Sequence, residues 1–135
     1  MDNIENAAPL VLKIANPNTV TVKITCQQFG DEDKVITKLP LKVTFEKTSR
    51  EDWDLEAQDA DASLEEKGIH ILLRQKIKNI KGLPLERNGI AAEFDASAMD
   101  LVLKHQWIID ELWAALLAIN GGKRSDAYRG QLLKN

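Results

Sequence analysis

The sequence has very little cysteine, few aromatic residues and no long apolar run. Its single cysteine, Cys26, excludes an internal disulfide and any zinc site built from several cysteines. The most apolar stretch, residues 107–119, is short and contains two acidic residues, so it does not predict a membrane-spanning helix. The first apolar run is interrupted by Pro9 and Lys13, which is not a signal-peptide pattern. These absences predict a soluble, cytoplasmic protein.

Neither sign of charge dominates the chain. The 135 residues include 18 basic and 21 acidic ones, a formal net charge of −3, and 44% of them are hydrophobic. This composition is typical of one globular domain and excludes a wholly disordered or collagen-like chain. Nucleic-acid-binding domains usually carry a basic excess, so the balance disfavours nucleic acid as a partner. We predict a single domain over residues 1–135, with 121–135 as a basic tail that forms at most a short, frayed helix.

The first third of the chain alternates between apolar and polar residues. Segments 10–14, 20–26 and 39–46 each place apolar side chains at every second position, as half-buried strands do. A polar loop is predicted over residues 27–34. Pro40 cannot donate to a β-ladder, so the last strand is expected at a sheet edge there. The β part is therefore residues 9–46, with two or three antiparallel strands.

From residue 48 the sequence changes to helical patterns, and the part 49–120 is predicted to be helical. Ser49, with an acidic residue three positions later, predicts the N-cap of a short helix around Trp53. Eight acidic residues and no basic ones lie within residues 51–66. An acidic, solvated linker over 59–62 is expected to follow the short helix. Together these segments predict an α+β fold, with a small N-terminal antiparallel sheet followed by a part with two main helices.

The first main helix is predicted to open with a capping box that begins at Ser63. Its apolar residues follow helical spacing from Ile69 to Ile80. Gly68 costs a helix interior about 1 kcal/mol relative to alanine, which leaves Gly68 itself as an alternative start. Gly82 suits the position just after the helix.

The second main helix is predicted over residues 98–119. Before it, Asn88-Gly89 is the strongest turn signal in the chain. Asp95 or Ser97 is expected to be the N-cap.

This last helix carries apolar residues on two opposite sides. One side is a wide stripe around Leu112 that predicts core packing. The other side is either covered by the rest of the fold or binds a partner, which includes a second copy of the chain. Tryptophan is enriched among the anchors of such interfaces. The candidate partner-binding residues on this second side are Leu103, Trp107, Ala114 and Ala118.

No cluster of residues predicts catalysis, a cofactor or a metal. Cys26 lies on the apolar side of a predicted strand, which is typical of an inert buried thiol. His70 and His105 lie on different predicted helices without metal-ligand spacing, and His105 is expected at the core or its boundary. The acidic run lacks the ligand register and the glycine of a calcium loop. We therefore predict a protein that is not an enzyme.

A basic stripe is predicted along one flank of the first main helix. Arg74, Lys78 and Lys81 form it. Such a stripe can contact phosphates, but no aromatic residue interleaves with it. We expect it to pair with the preceding acidic segment or to be solvated.

Several short motifs follow one another in a definite order along residues 35–120. An alternating strand is followed by an acidic stretch, a helix that ends in Ile80-Lys81-Gly82, the Asn88-Gly89 turn, the step Phe94-Asp95 and a leucine-containing helix. This order resembles that of the tail assembly chaperones of long-tailed bacteriophages. In that family a tryptophan is common where Ile80 stands here.

The resemblance implies a non-enzymatic function. Such proteins hold the long, helical tape-measure protein soluble, and they help to recruit tail tube protein around it. The resemblance also implies action in the host cytoplasm and absence from the mature virion. Two alternatives remain open at this point: a structural tail-completion protein that is retained in the virion, and a small cytoplasmic adaptor that binds protein or nucleic acid.

Overall fold

A three-stranded antiparallel sheet is followed by helices in the computed structural model, which describes residues 8–12 and 18–120. This arrangement confirms the predicted α+β fold class. The elements in chain order are β1 (Thr19–Phe29), β2 (Val35–Glu46), α1 (Arg50–Asp61), α2 (Gly68–Lys76), β3 (Ile77–Lys81), β4 (Glu86–Arg87), β5 (Ile90–Ala91), α3 (Ala96–Val102) and α4 (Gln106–Asn120). The basic tail, 121–135, lies outside the described residues.

Strands β1 and β2 form a long hairpin. They pair from Thr19 opposite Glu46 to Phe29 opposite Val35. Alternate side chains are buried or half-buried over residues 20–26 and 39–45, so the predicted strands 20–26 and 39–46 are confirmed, and both extend further toward the hairpin loop. The apolar alternation of 10–14 does not form a strand over residues 8–12, and the rest of that segment lies outside the described residues.

The third strand, β3, comes from residues that were expected to continue a helix. Helix α2 ends at Lys76, and the next residues pair with β2. Ile77 and Ile80 are both buried although they are three positions apart. The register shifts between Thr44 and Phe45, and such a bulge lets two residues of opposite parity face the same side. The helical expectation was wrong because a bulged strand reproduces the three-residue apolar spacing of a helix.

Gly82 ends β3 instead of ending a helix. Its φ of 107° lies in the left-handed region, and a Cβ there would lie 2.6 Å from the carbonyl oxygen of Pro40. Only glycine permits this close approach without strain. Pro40 pairs with Thr25 of β1 and lies beyond Lys42, the last β2 residue that pairs with β3. Strand β2 is nevertheless the central strand of the sheet, so the expectation of an edge strand was wrong for the strand as a whole and holds only at the end that contains Pro40.

The first two helices differ from the prediction in their ends. Helix α1 begins after Ser49, whose Oγ accepts a hydrogen bond from the Asp52 amide at 3.2 Å, as expected. It continues to Asp61, so the predicted linker at 59–62 was wrong. Ala60 is 3% exposed, and its packing in the core holds this acidic turn in the helix. The capping box at residue 63 does not form, and α2 begins at the alternative start, residue 68.

The Asn88-Gly89 turn joins β4 to β5, as the sequence predicted. Both residues have positive φ angles, 55° and 77°, which are typical of a type I′ hairpin turn. Asp95 is the N-cap of α3, because its Oδ1 accepts a hydrogen bond from the Ala98 amide at 2.9 Å.

The prediction of a single long helix over 98–119 was wrong, because the chain forms two helices there, α3 and α4, with a break between them. Leu103 is the C-cap of α3, and the amide of His105 donates to the Val102 carbonyl three residues earlier. The His105 carbonyl then accepts from the first amides of α4. This change of direction lets Val102 of α3 and Ile108 of α4 both reach the core.

The core lies between the inner face of the sheet and the helices. Its largest fully buried side chains are Phe45, Leu73, Leu112, Leu116, Val43 and Cys26. Trp53 of α1 packs against Trp113 of α4, with ring centroids 6.1 Å apart. Within residues 8–12 and 18–120, no helix is both long enough and apolar enough to cross a bilayer.

Candidate functional site

The break between α3 and α4 separates one of the four predicted partner-binding residues from the others. Leu103 lies at the end of α3, whereas Trp107, Ala114 and Ala118 lie within α4. A spacing of seven and then four residues puts these three on one side of α4. We call this side, defined by Trp107, Ala114 and Ala118, the outer face of α4.

The residues of the outer face are half-buried. Trp107 packs against the core cluster, as does Leu103, whereas Ala114 and Ala118 are not part of that cluster. The opposite side of α4 is buried, with Leu112 and Leu116 both 0% exposed. The outer face therefore has a tryptophan packed against the core at one end, Trp107, and two short side chains, Ala114 and Ala118, along the rest of its length.

Trp107 has an unusual polar environment. Its indole Nε1 is buried and has no hydrogen-bond partner among the described residues. Buried indole N–H groups usually find an acceptor, and an unpaired buried donor costs about 1–3 kcal/mol. The ring of His105 meets that of Trp107 edge-on, with centroids 6.3 Å apart. His105 itself is exposed, so the expectation of a position at the core or its boundary was wrong, because the residue lies in the break between the helices.

One acidic residue lies on the outer face, and another lies beside it. Glu111 is exposed and lies one helical turn after Trp107 on the same side of α4. Asp110, also exposed, accepts a hydrogen bond from the Gln106 side chain at 2.7 Å. A partner that packs on the outer face would therefore meet small apolar side chains flanked by negative charge.

The end of α4 is fixed to the rest of the fold by Asn120. This residue is 7% exposed, and its Oδ1 accepts a hydrogen bond from the Thr48 amide at 2.9 Å. Thr48 lies between β2 and α1, so the bond joins the last described turn of α4 to the point where the sheet ends. From Leu112 to Asn120 no residue of α4 is fully exposed, which makes this half of the helix a central element.

Cys26 and the histidines form no catalytic arrangement within the described part of the chain. Cys26 is 0% exposed, and burial, with a smaller contribution from the charge of Glu111, raises the pKa of its thiol to about 11. A thiol of this kind is protonated and unreactive at neutral pH. His70 Nδ1 lies 4.0 Å from Glu66. Among the described residues, no group of three or more histidine, cysteine or acidic side chains is placed to hold a metal ion.

The predicted basic stripe is not a single stripe. Arg74 lies on α2, while Lys78 and Lys81 lie on β3. Arg74 pairs with Glu66 at 2.8 Å and with Asp100 at 2.5 Å. The pairing of Arg74 with the acidic segment is therefore as expected.

A row of lysines that local sequence patterns do not reveal crosses the sheet. Lys23 of β1 lies directly opposite Lys42 of β2, and Lys42 lies directly opposite Lys81 of β3. All three are exposed, and we call them the lysine row. The outward positions of Lys23 and Lys42 were visible in the alternation. The row as a whole is not predictable from such patterns, because the apolar spacing before Lys81 fits a helix and because alternation does not give the register between strands.

Comparison with protein-family models, with curated proteins and with solved structures finds no match to this chain.

Proposed function

We propose that this protein is a non-enzymatic tail assembly chaperone of a long-tailed bacteriophage. In this proposal it binds the tape-measure protein in the host cytoplasm, keeps it soluble, promotes assembly of the tail tube around it and is absent from the mature virion. The proposal starts from the motif order of residues 35–120, in which the segment that ends at Gly82 is strand β3 and not the helix that the order predicted. The structural observation that supports it is the outer face of α4, on the side opposite the buried stripe of that helix. Its three defining residues are apolar and half-buried, and the exposed Glu111 lies between Trp107 and Ala114.

The outer face fits a helical client. An amphipathic helix binds by laying its apolar stripe on a complementary apolar surface. The short side chains of Ala114 and Ala118 allow a second helix to approach α4 closely, since the distance between packed helices depends on the side chains at the contact. Trp107 supplies the large apolar anchor at one end. Leu103, just before it in the chain, extends the apolar surface toward α3.

A charge placed on the outer face tests this proposal. The chain is co-expressed with the tape-measure protein of the same genome, and the soluble, co-purified fraction of that protein is measured. Ala118→Glu adds a second carboxylate to the outer face, beyond Glu111 toward the end of α4, without removing a core contact. We expect it to lower capture by about tenfold, because a buried, unpaired charge in an interface is costly. Ala96→Glu is the matched control, at an exposed position in the first turn of α3.

Two outcomes would contradict the proposal. Either the wild-type chain leaves the tape-measure protein insoluble and uncaptured, or Ala118→Glu captures it as well as the control does.

Trp107→Ala is the companion variant, and we expect it to weaken capture with an unchanged circular dichroism spectrum. Loss of the fold together with capture would make Trp107 a core residue only.

The protein composition of the finished virion distinguishes the chaperone proposal from the alternative of a structural tail-completion protein. Mass spectrometry of purified virions is expected to show no peptides of this chain. Stoichiometric recovery of the chain from virions would contradict the chaperone proposal and would support a structural tail-completion protein instead.

A further inference from the structure

The outward face of the sheet is basic and polar. Inward side chains such as Cys26 of β1 and Val43 of β2 are buried in the same cluster as the helices, whereas most of the outward ones, including the three lysines, are exposed. Threonine hydroxyls surround the lysine row, and the Thr21 and Thr44 hydroxyls lie 2.8 Å apart. The face therefore offers ammonium and hydroxyl donors on the side of the sheet away from α4.

The lysine row has no counter-charge within the described part of the chain. No ion pair of Lys23, Lys42 or Lys81 with an acidic side chain is found there. Glu46, on the same strand as Lys42, is already close to two ammonium groups, those of Lys76 at 3.8 Å and Lys78 at 3.6 Å. The three charges of the row are consequently available to an external anion.

The row is not explained by the stability of the sheet. Like charges that lie directly opposite each other on neighbouring strands are destabilising. Here the repulsion occurs twice, once between β1 and β2 and once between β2 and β3. Arrangements that lower stability without a structural benefit are expected at functional surfaces.

The shape of the surface is an open groove. A concavity of about 540 Å³ lies where β3 ends, and its lining includes all three lysines as well as Ile24 and Leu41, which belong to the inward face. Neighbouring strands lie about 4.8 Å apart, so the row spans about 10 Å. Acidic side chains one turn apart on a helix are separated by about 5–6 Å, which matches the spacing of the lysines.

We propose that the lysine row is a docking surface for an acidic segment of a partner protein. Charge complementarity argues for carboxylates, and the composition of the face argues against nucleic acid. Sheet surfaces that bind single strands use aromatic side chains on which the bases stack. The outward positions next to the row carry threonine and proline, with no aromatic residue.

Binding of a labelled polyglutamate peptide, followed by fluorescence anisotropy at low and at physiological salt, tests this surface. The variant is Lys42→Gln, at the centre of the row. Its matched control is Lys38→Gln, on the same face of the same strand but opposite the neutral Gln27. Both substitutions remove one positive charge at an exposed position.

We expect Lys42→Gln to weaken peptide binding about fivefold and Lys38→Gln to weaken it less than about twofold, because only Lys42 has charged neighbours on both sides. Equal losses in the two variants, or no salt-sensitive binding by the wild-type chain, would overturn the proposal. Tighter binding of an oligothymidylate of equal charge, lost in Lys42→Gln, would make the row a nucleic-acid surface. Salt-sensitive self-association that Lys42→Gln abolishes would make the occupant a second copy.

The peptide-binding experiment tests the lysine row separately from the proposed chaperone function. The outer face of α4 and the lysine row are on different sides of the sheet, so Ala118→Glu is expected to bind the peptide like the wild type. A chain that binds polyglutamate but does not capture the tape-measure protein would retain this surface and lose the function proposed above.

Discussion

Lys76 Nζ lies 2.5 Å from Glu56 Oε2, which joins the end of α2 to the middle of α1. The lysine is 3% exposed, so its stem is enclosed by the fold while its ammonium meets a partly exposed carboxylate. Glu46 of β2 adds a second carboxylate oxygen at 3.8 Å. One buried cation therefore connects two helices and the central strand.

Replacement of Lys76 by alanine is expected to lower the free energy of unfolding by about 2 kcal/mol, because the packed stem and the ion pair are both lost. Lys78→Ala is the control. Lys78 also approaches Glu46 but is exposed, and an exposed ion pair contributes less than about 1 kcal/mol. Urea denaturation of both variants gives the comparison. Equal, small losses would show that the Lys76 pair has no stabilising role.

The two glycines with positive φ are expected to differ in their tolerance of alanine. At Gly82 a Cβ would meet the Pro40 carbonyl oxygen at 2.6 Å, whereas at Gly89 it would meet nothing within 4 Å. Gly89→Ala is therefore expected to cost only the backbone strain of about 1 kcal/mol. Gly82→Ala is expected to cost about 2–4 kcal/mol, because strain and overlap add. Urea midpoints measure the difference, and a Gly82 variant as stable as the Gly89 variant would contradict the close approach.

Local signals predicted local structure well in this chain. The alternation of β2, the cap at Ser49 and the Asn88-Gly89 turn depend on neighbours in sequence, and all three are found as predicted. Ile77 and Ile80 were misassigned because their spacing fits a helix, and only pairing with β2 distinguishes the two conformations. That pairing is a contact between distant residues, which periodicity does not report.

The surfaces were harder to predict than the fold. Leu103 was placed with Trp107 because one helix was assumed, and no glycine or proline marks the break at 103–105. The lysine row requires the register of three strands, which depends on the bulge next to Thr44. The sequence could therefore give the residue types of both surfaces but not which of them are neighbours.

The buried thiol of Cys26 is expected to make the protein less stable at alkaline pH. The unfolded thiol has an ordinary pKa of 9.0, and the folded one has a pKa raised to about 11 by burial. Between these values the unfolded chain releases a proton that the folded chain retains. Unfolding is therefore favoured, by up to about 1.4 kcal/mol per pH unit, as the pH rises through this window.

Urea denaturation of the wild type and of Cys26→Ala, at about pH 8 and about pH 10, isolates this contribution because the other alkaline titrations are common to both proteins. The wild type is expected to lose about 1 kcal/mol more than the variant over this interval. At neutral pH the native thiol is expected to react slowly with a disulfide reagent. Parallel pH dependences, or fast labelling of the folded protein, would show that Cys26 is not shielded.

The lysine row makes a prediction about stability that is separate from its proposed partner. Lys42 lies between Lys23 and Lys81, so Lys42→Gln removes two repulsions. At low salt it is expected to raise the free energy of unfolding by about 0.5 kcal/mol, and high salt is expected to reduce this gain because it screens exposed charges. Lys38→Gln, opposite Gln27, is expected to change stability little at either salt concentration. Urea denaturation of the same protein samples used for peptide binding measures both effects.

A Lys42 variant that is more stable and binds polyglutamate less well would show that the charges that favour peptide binding also destabilise the sheet. A gain shared by both variants would instead reflect the glutamine side chain and not the row.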